Sequence, residues 1–161
     1  MAQILRHSVV AAITCLLQAY GVTTDLFSLN RSPGGTLGNR NFIGHLAVLG
    51  LPVLLVVALS AGRAKTYLLG SAALGLVAAT LVLTRSRAAW LGVAAVFAVV
   101  FVGVVFTPSV RRDWKLMRRF VLLLAFVAAG VFGALTLPNA LRWTSDDPYL
   151  ETARGVVNFR E

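Results

Sequence analysis

Long uncharged apolar runs set the strongest limit on what this chain can fold into. Residues 42–59, 67–83, 88–106 and 120–137 contain no Asp, Glu, Lys or Arg, and each approaches the ~20 residues that a helix needs to cross bilayer hydrocarbon. A further run, 8–20, follows Arg6 and His7 and reaches that length only when Ile4 and Val22 are taken as its ends. A soluble helix of this size would show a polar face at helical spacing, and these runs have none. The expected fold is therefore all-α, a polytopic transmembrane helical bundle of about five spans. They lie at 4–22, 42–59, 67–83, 88–106 and 120–137. Residues 1–137 form the membrane domain and 138–161 a polar tail. Composition agrees: 58% of residues are hydrophobic and 13% charged, against about 45–50% and about 25% in soluble domains.

The first run has the length of a signal peptide, but Leu17, Gln18 and Ala19 do not form the small-residue cleavage pattern such a peptide needs. It reads as an uncleaved first helix. The loop at 21–41 is polar and rich in turn formers, whereas the tail has no apolar face long enough to offset its ordering entropy and is expected to be loosely ordered. Cys15 is the only cysteine, which excludes an intramolecular disulfide and a CxxC or zinc motif.

A net charge of +9 would suggest nucleic acid in a soluble domain. Here the cations sit between apolar runs, Arg63 and Lys65 in one loop and Arg111, Arg112, Lys115, Arg118 and Arg119 in another, without the interleaved aromatics that stack on bases. No nucleic-acid partner is expected. The positive-inside rule puts both loops and the amino terminus in the cytoplasm. The loop at 21–41, the turn at 84–87 and the tail then face outward, with every acidic residue except Asp113. Trp90, Trp114 and Trp143 fall near the expected membrane interfaces.

The outward turn Thr84-Arg85-Ser86-Arg87 breaks the charge rule. Ser86 can cap the following helix, whose amino-terminal dipole favours an anion, and Arg87 adds a planar fork suited to phosphate. The competing reading is a pair of arginines that snorkel to ordinary headgroups. The outward loop ends in Gly34-Gly35-Thr36-Leu37-Gly38-Asn39-Arg40-Asn41. Its glycines permit close backbone approach, and Asn39 or Asn41 can cap the second long helix. It lacks the nucleotide P-loop spacing, and by itself reads as a flexible surface loop. Alternation sends both helix amino termini to one membrane face, so Arg40, Arg85 and Arg87 can converge on one anion. His45, one turn inside its span, can accept a proton or pair with a neighbouring helix; with no carboxylate in any span to orient it, the structural role is preferred. Gly70, Gly75, Gly92, Gly130 and Gly133 are read as sites of close helix packing.

Two segments resemble the O-antigen ligase and O-antigen polymerase superfamily. GTLGNRNFIGHLAVLGLP at 35–52 is similar to that family's "GT-x-GN-x-N" segment, and SRAAWLG at 86–92 to its "SRGAWLG" segment. LLQAYGV at 16–22 fits the end of the helix before the glycine-rich loop, in the same order, so the resemblance covers roughly residues 8–106. It implies an enzyme of the bacterial inner membrane that takes a glycan from an undecaprenyl-diphosphate carrier at the periplasmic face. The acceptor is lipid A-core for a ligase and another glycan for a polymerase. The resemblance gives Arg87 the diphosphate-binding role, to which the convergence of the two helix starts adds Ser86, Arg85 and Arg40, and it places Asn39 and Asn41 on the family's asparagines. Arg40 stands where proline is frequent and His45 where a small residue is usual. The family's catalytic histidine lies in a later periplasmic segment and has no counterpart in this chain. By resemblance the chain is thus expected to be part of a longer protein with about twice as many spans, and inactive alone.

That reading is an inverting, metal-independent transfer from a lipid-linked oligosaccharide, with no cofactor and no metal, since no carboxylate cluster is present to hold magnesium. The alternatives are a transporter fragment, for which His45 is the one ionisable candidate within a span, and a non-catalytic membrane scaffold.

Overall fold

The computed structural model describes residues 2–27, 32–142 and 146–157. Trp143 and Glu161, placed at an interface and outside the membrane by the sequence, lie outside the described residues. Those residues form helices and no strand: α1 (Ala2–Ala19), a 3-10 turn (Gly35–Leu37), α2 (Arg40–Leu59), α3 (Ala64–Thr84), α4 (Arg87–Phe106), α5 (Pro108–Arg112), α6 (Trp114–Thr136) and α7 (Pro148–Val157). The chain is an all-α bundle, and α2, α3, α4 and α6 are long and apolar enough to cross a membrane.

α1 is the counterpart of the first span expected at 4–22 and ends earlier, at Ala19. Its 18 residues reach about 27 Å at 1.5 Å per residue, so it is shorter than the four helices above but within the roughly 17–25 residues that crossing helices use. A glycine ends it. Gly21, at φ +95°, turns the chain so that its N–H donates to Gln18 O at 3.2 Å and that of Val22 to Leu17 O at 2.9 Å, the Schellman arrangement that satisfies the last carbonyls.

The centre of the bundle is α3. Of its apolar stretch 56% is buried, against 6% for α4, so α3 is core and α4 a peripheral helix. Leu54, Leu74, Val77, Leu81 and Leu123 build the main cluster between α2, α3 and α6. α3 and α6 meet where glycines remove the side chains: a Cβ on Gly75 would lie 2.8 Å from Phe126 O, and one on Gly130 would collide with Gly75 O. The packing role read for these two glycines is thereby accounted for.

α6 starts earlier than the apolar run at 120–137. Asp113 caps it, its Oδ1 accepting from Leu116 N at 3.0 Å, and no helix breaker follows, so Lys115, Arg118 and Arg119 belong to the first turns of a helix. Arg119 NH1 donates to Leu59 O at 3.2 Å, its guanidinium lies 5.6 Å from the Tyr67 ring centroid, and Tyr67 Oη donates to Arg119 O at 2.8 Å. These contacts gather the ends of α2, α3 and α6 at one pole of the bundle.

The tail also departs from expectation. Residues 148–157 form α7, and Tyr149 joins Leu141 against a cluster of Ala19, Ala79, Leu83 and Ala134 at the opposite pole. One aromatic and one buried threonine, Thr152, 3% exposed, make a docking face too short to register as an apolar stripe.

Candidate functional site

The pole that carries α7 also carries the two amino termini singled out by sequence. α2 begins at Arg40 behind Asn39, whose Oδ1 accepts from Asn41 N at 2.9 Å. Asn39 is thus the cap, and Asn41 supplies the donor. α4 begins at Arg87 behind Ser86, whose Oγ accepts from Ala89 N at 3.4 Å. The two starts touch: a Cβ on Gly44 would meet Ala89 Cβ at 3.0 Å and Ser86 Cβ at 3.1 Å, and one on Gly92 would lie 2.8 Å from Val48 Cγ1. Gly44 follows Arg40 by one helical turn, so close packing of α2 on α4 brings Arg40, Ser86 and Arg87 to one end of one helix pair. Ser86, Ala89 and Gly92, spaced by three, are the face of the SRAAWLG segment that this packing requires to be small. Trp90 points elsewhere, its Nε1 donating to Leu81 O at 2.9 Å.

Arg85 and Arg87 are not equivalent. Arg85 adopts the left-handed conformation at φ +50° as the residue that ends α3, and its side chain is 12% exposed. Its Nε donates to Thr152 Oγ1 at 2.8 Å and NH2 to Glu151 Oε2 at 3.0 Å. Arg87 is exposed and packs its guanidinium against Gly155, where a Cβ would clash with it. α7 therefore lies across the arginine turn, tied to one arginine by polar contacts and resting on the other at a glycine. Nothing in the sequence of the tail announced this, because the pairing joins residues more than sixty positions apart.

The glycine-rich loop is seated on α1. Gln18 Oε1 accepts from both Gly34 N and Gly35 N at 2.8 Å, and its Nε2 donates to Ser32 Oγ at 3.2 Å. Gly35 has φ +49°, and a Cβ there would lie 2.6 Å from Thr14 Oγ1. Gly38, in the left-handed region at φ +71°, turns the chain into Asn39. The loop is a fitted strap at residues 32–39, contrary to the reading of a flexible surface loop. Gln18, which sequence reasoning passed over, holds it. A polar side chain near the end of an apolar run was the available signal.

His45 is exposed on α2. No group of three His, Cys, Asp or Glu able to hold a metal ion occurs among the described residues. Comparisons with protein-family models, curated proteins and solved structures find no match for the chain.

Proposed function

We propose that the protein is part of an inner-membrane glycosyltransferase of O-antigen ligase or polymerase type, multi-pass with its amino terminus in the cytoplasm. It takes a glycan from an undecaprenyl-diphosphate carrier at the outward face and hands it to lipid A-core or to another glycan. The observation that carries this reading is the shared start of α2 and α4, with Arg40 and Arg87 heading two capped helices whose amino termini lie side by side. Two helix dipoles that start side by side, each headed by an arginine, favour a multiply charged phosphate group.

In the transfer, an acceptor hydroxyl oxygen bonds to the anomeric carbon while the bond from that carbon to the diphosphate oxygen breaks. Arg87, with Arg40 and the amino-terminal dipole of α4 behind Ser86, neutralises the departing diphosphate. The hydroxyl proton goes to a base from outside this set of residues. Arg85 contributes to the local field while it anchors α7.

A non-catalytic scaffold is the second reading, favoured by the Arg85 to Glu151 pair, which gives an outward arginine a purely structural partner. Titrating undecaprenyl diphosphate into nanodiscs that hold the protein separates the two. The wild type should bind, and Arg87→Ala should bind about ten- to a hundredfold more weakly, the equivalent of one charge-assisted bidentate contact. Arg87→Lys should recover little of the loss, because an ammonium lacks the planar fork. Equal binding by wild type and Arg87→Ala, at matched insertion, would remove the diphosphate from this turn.

A further inference from the structure

At the pole opposite the arginine turn, the structure carries a second concentration of charge with a shape of its own. A groove of about 560 Å³ is lined by Leu59, Asp113, Trp114, Lys115, Leu116, Arg118 and Arg119, three cations against one carboxylate. Asp113 is occupied in capping α6. Among the described residues no ion pair involves Arg111, Arg112, Lys115, Arg118 or Arg119. Membrane orientation requires only that cations lie on one side of the spans. It does not require three of them at positions 115, 118 and 119, where helical spacing crowds them on one face and each like-charged pair costs a few tenths of a kcal/mol. Nor does it require one of them to be fixed. Arg119 is held by Leu59 O and by the Tyr67 ring, and with five N–H donors a guanidinium so held keeps others for a ligand.

We infer that this groove binds the phosphate diester of an anionic phospholipid from the adjoining leaflet, with Arg119 as the fixed cation and Lys115 and Arg118 closing on the phosphate. Charge complementarity selects the headgroup, since basic pockets between helix ends at a membrane surface take anionic lipids. The surroundings select a lipid over a soluble phosphate. Trp114, 76% exposed, stands at the rim where an indole ring prefers the interface. Directly beyond the cations, Val121 and Leu122 present exposed apolar surface on α6 along which acyl chains can lie. This site does not depend on the proposed transferase activity or on which membrane face is outward.

The test places the protein in phosphatidylcholine nanodiscs doped with phosphatidylglycerol and counts retained lipids by native mass spectrometry. Wild type should retain phosphatidylglycerol preferentially. Lys115→Gln combined with Arg118→Gln should lower that preference roughly thirtyfold, as two surface cations imply. Arg63→Gln with Lys65→Gln, an equal change in net charge outside the groove, should leave it nearly intact. If the first pair does not insert, Arg118→Gln alone should lower the preference about fivefold. An unchanged preference in the groove variants, or an equal loss in the control pair, would overturn the site in favour of diffuse attraction. Competition by soluble glycerophosphoglycerol as effective as by the lipid would overturn the lipid assignment.

Discussion

Arg85 and Thr152 are joined by a 2.8 Å hydrogen bond from Nε to Oγ1, and this contact decides where α7 sits. Thr152 is buried, and its own hydroxyl donates to Pro148 O at 2.8 Å, so the guanidinium meets an acceptor already fixed in direction. The accompanying carboxylate, Glu151, is 56% exposed, and an ion pair so open to water contributes about 0–1 kcal/mol.

Thr152→Val should therefore loosen α7 more than Glu151→Gln does. Removing the buried acceptor leaves a charged donor without it, a loss of about 1.5–3 kcal/mol. Hydrogen exchange at residues 148–157 reads the difference directly. Faster exchange in Glu151→Gln than in Thr152→Val would contradict the ranking.

Gly155→Ala should separate stability from anion binding. The added methyl meets the far end of the Arg87 side chain, which can swing aside, so the thermal midpoint should change little. Displacing the guanidinium should nevertheless weaken undecaprenyl-diphosphate binding several-fold, as loss of its alignment with the ligand implies. Unchanged affinity with a large drop in thermal midpoint would show that the contact is only structural.

Gln18→Leu should release the strap. Two N–H groups, those of Gly34 and Gly35, lose their common acceptor, at about 1–3 kcal/mol for each group left unsatisfied. Gln18→Glu keeps the oxygen and should preserve protection at both amides. Equal protection in Gln18→Leu and wild type would show that the loop is held by other contacts.

Gly130→Val should be among the most disruptive single changes in the bundle, because the obstacle is the backbone carbonyl of Gly75 and no rotamer relieves it. A loss of at least about 1–3 kcal/mol is expected from overpacking. Gly103→Val, at a position where a Cβ meets nothing within 4 Å, is the matched control. Thermal unfolding in detergent should distinguish them, and similar midpoints would argue against a tight α3 to α6 seam.

The apolar runs by themselves determined the all-α class, the four long spans and the common face of the α2 and α4 starts, since in hydrocarbon a helix satisfies its own backbone and alternation fixes which ends share a face. Ser86 and Asn39 were legible as caps because capping is local chemistry, decided within three residues. Only the tertiary structure decided that α1 stops at Ala19 and that Gln18 seats the glycine loop. It also separated the two arginines, one pinned beneath α7 and the other lying exposed against Gly155. Those outcomes depend on single contacts between distant segments, Arg85 with Thr152 and Gly44 with Ser86, and a contact between distant positions leaves no periodicity or local composition from which it can be read.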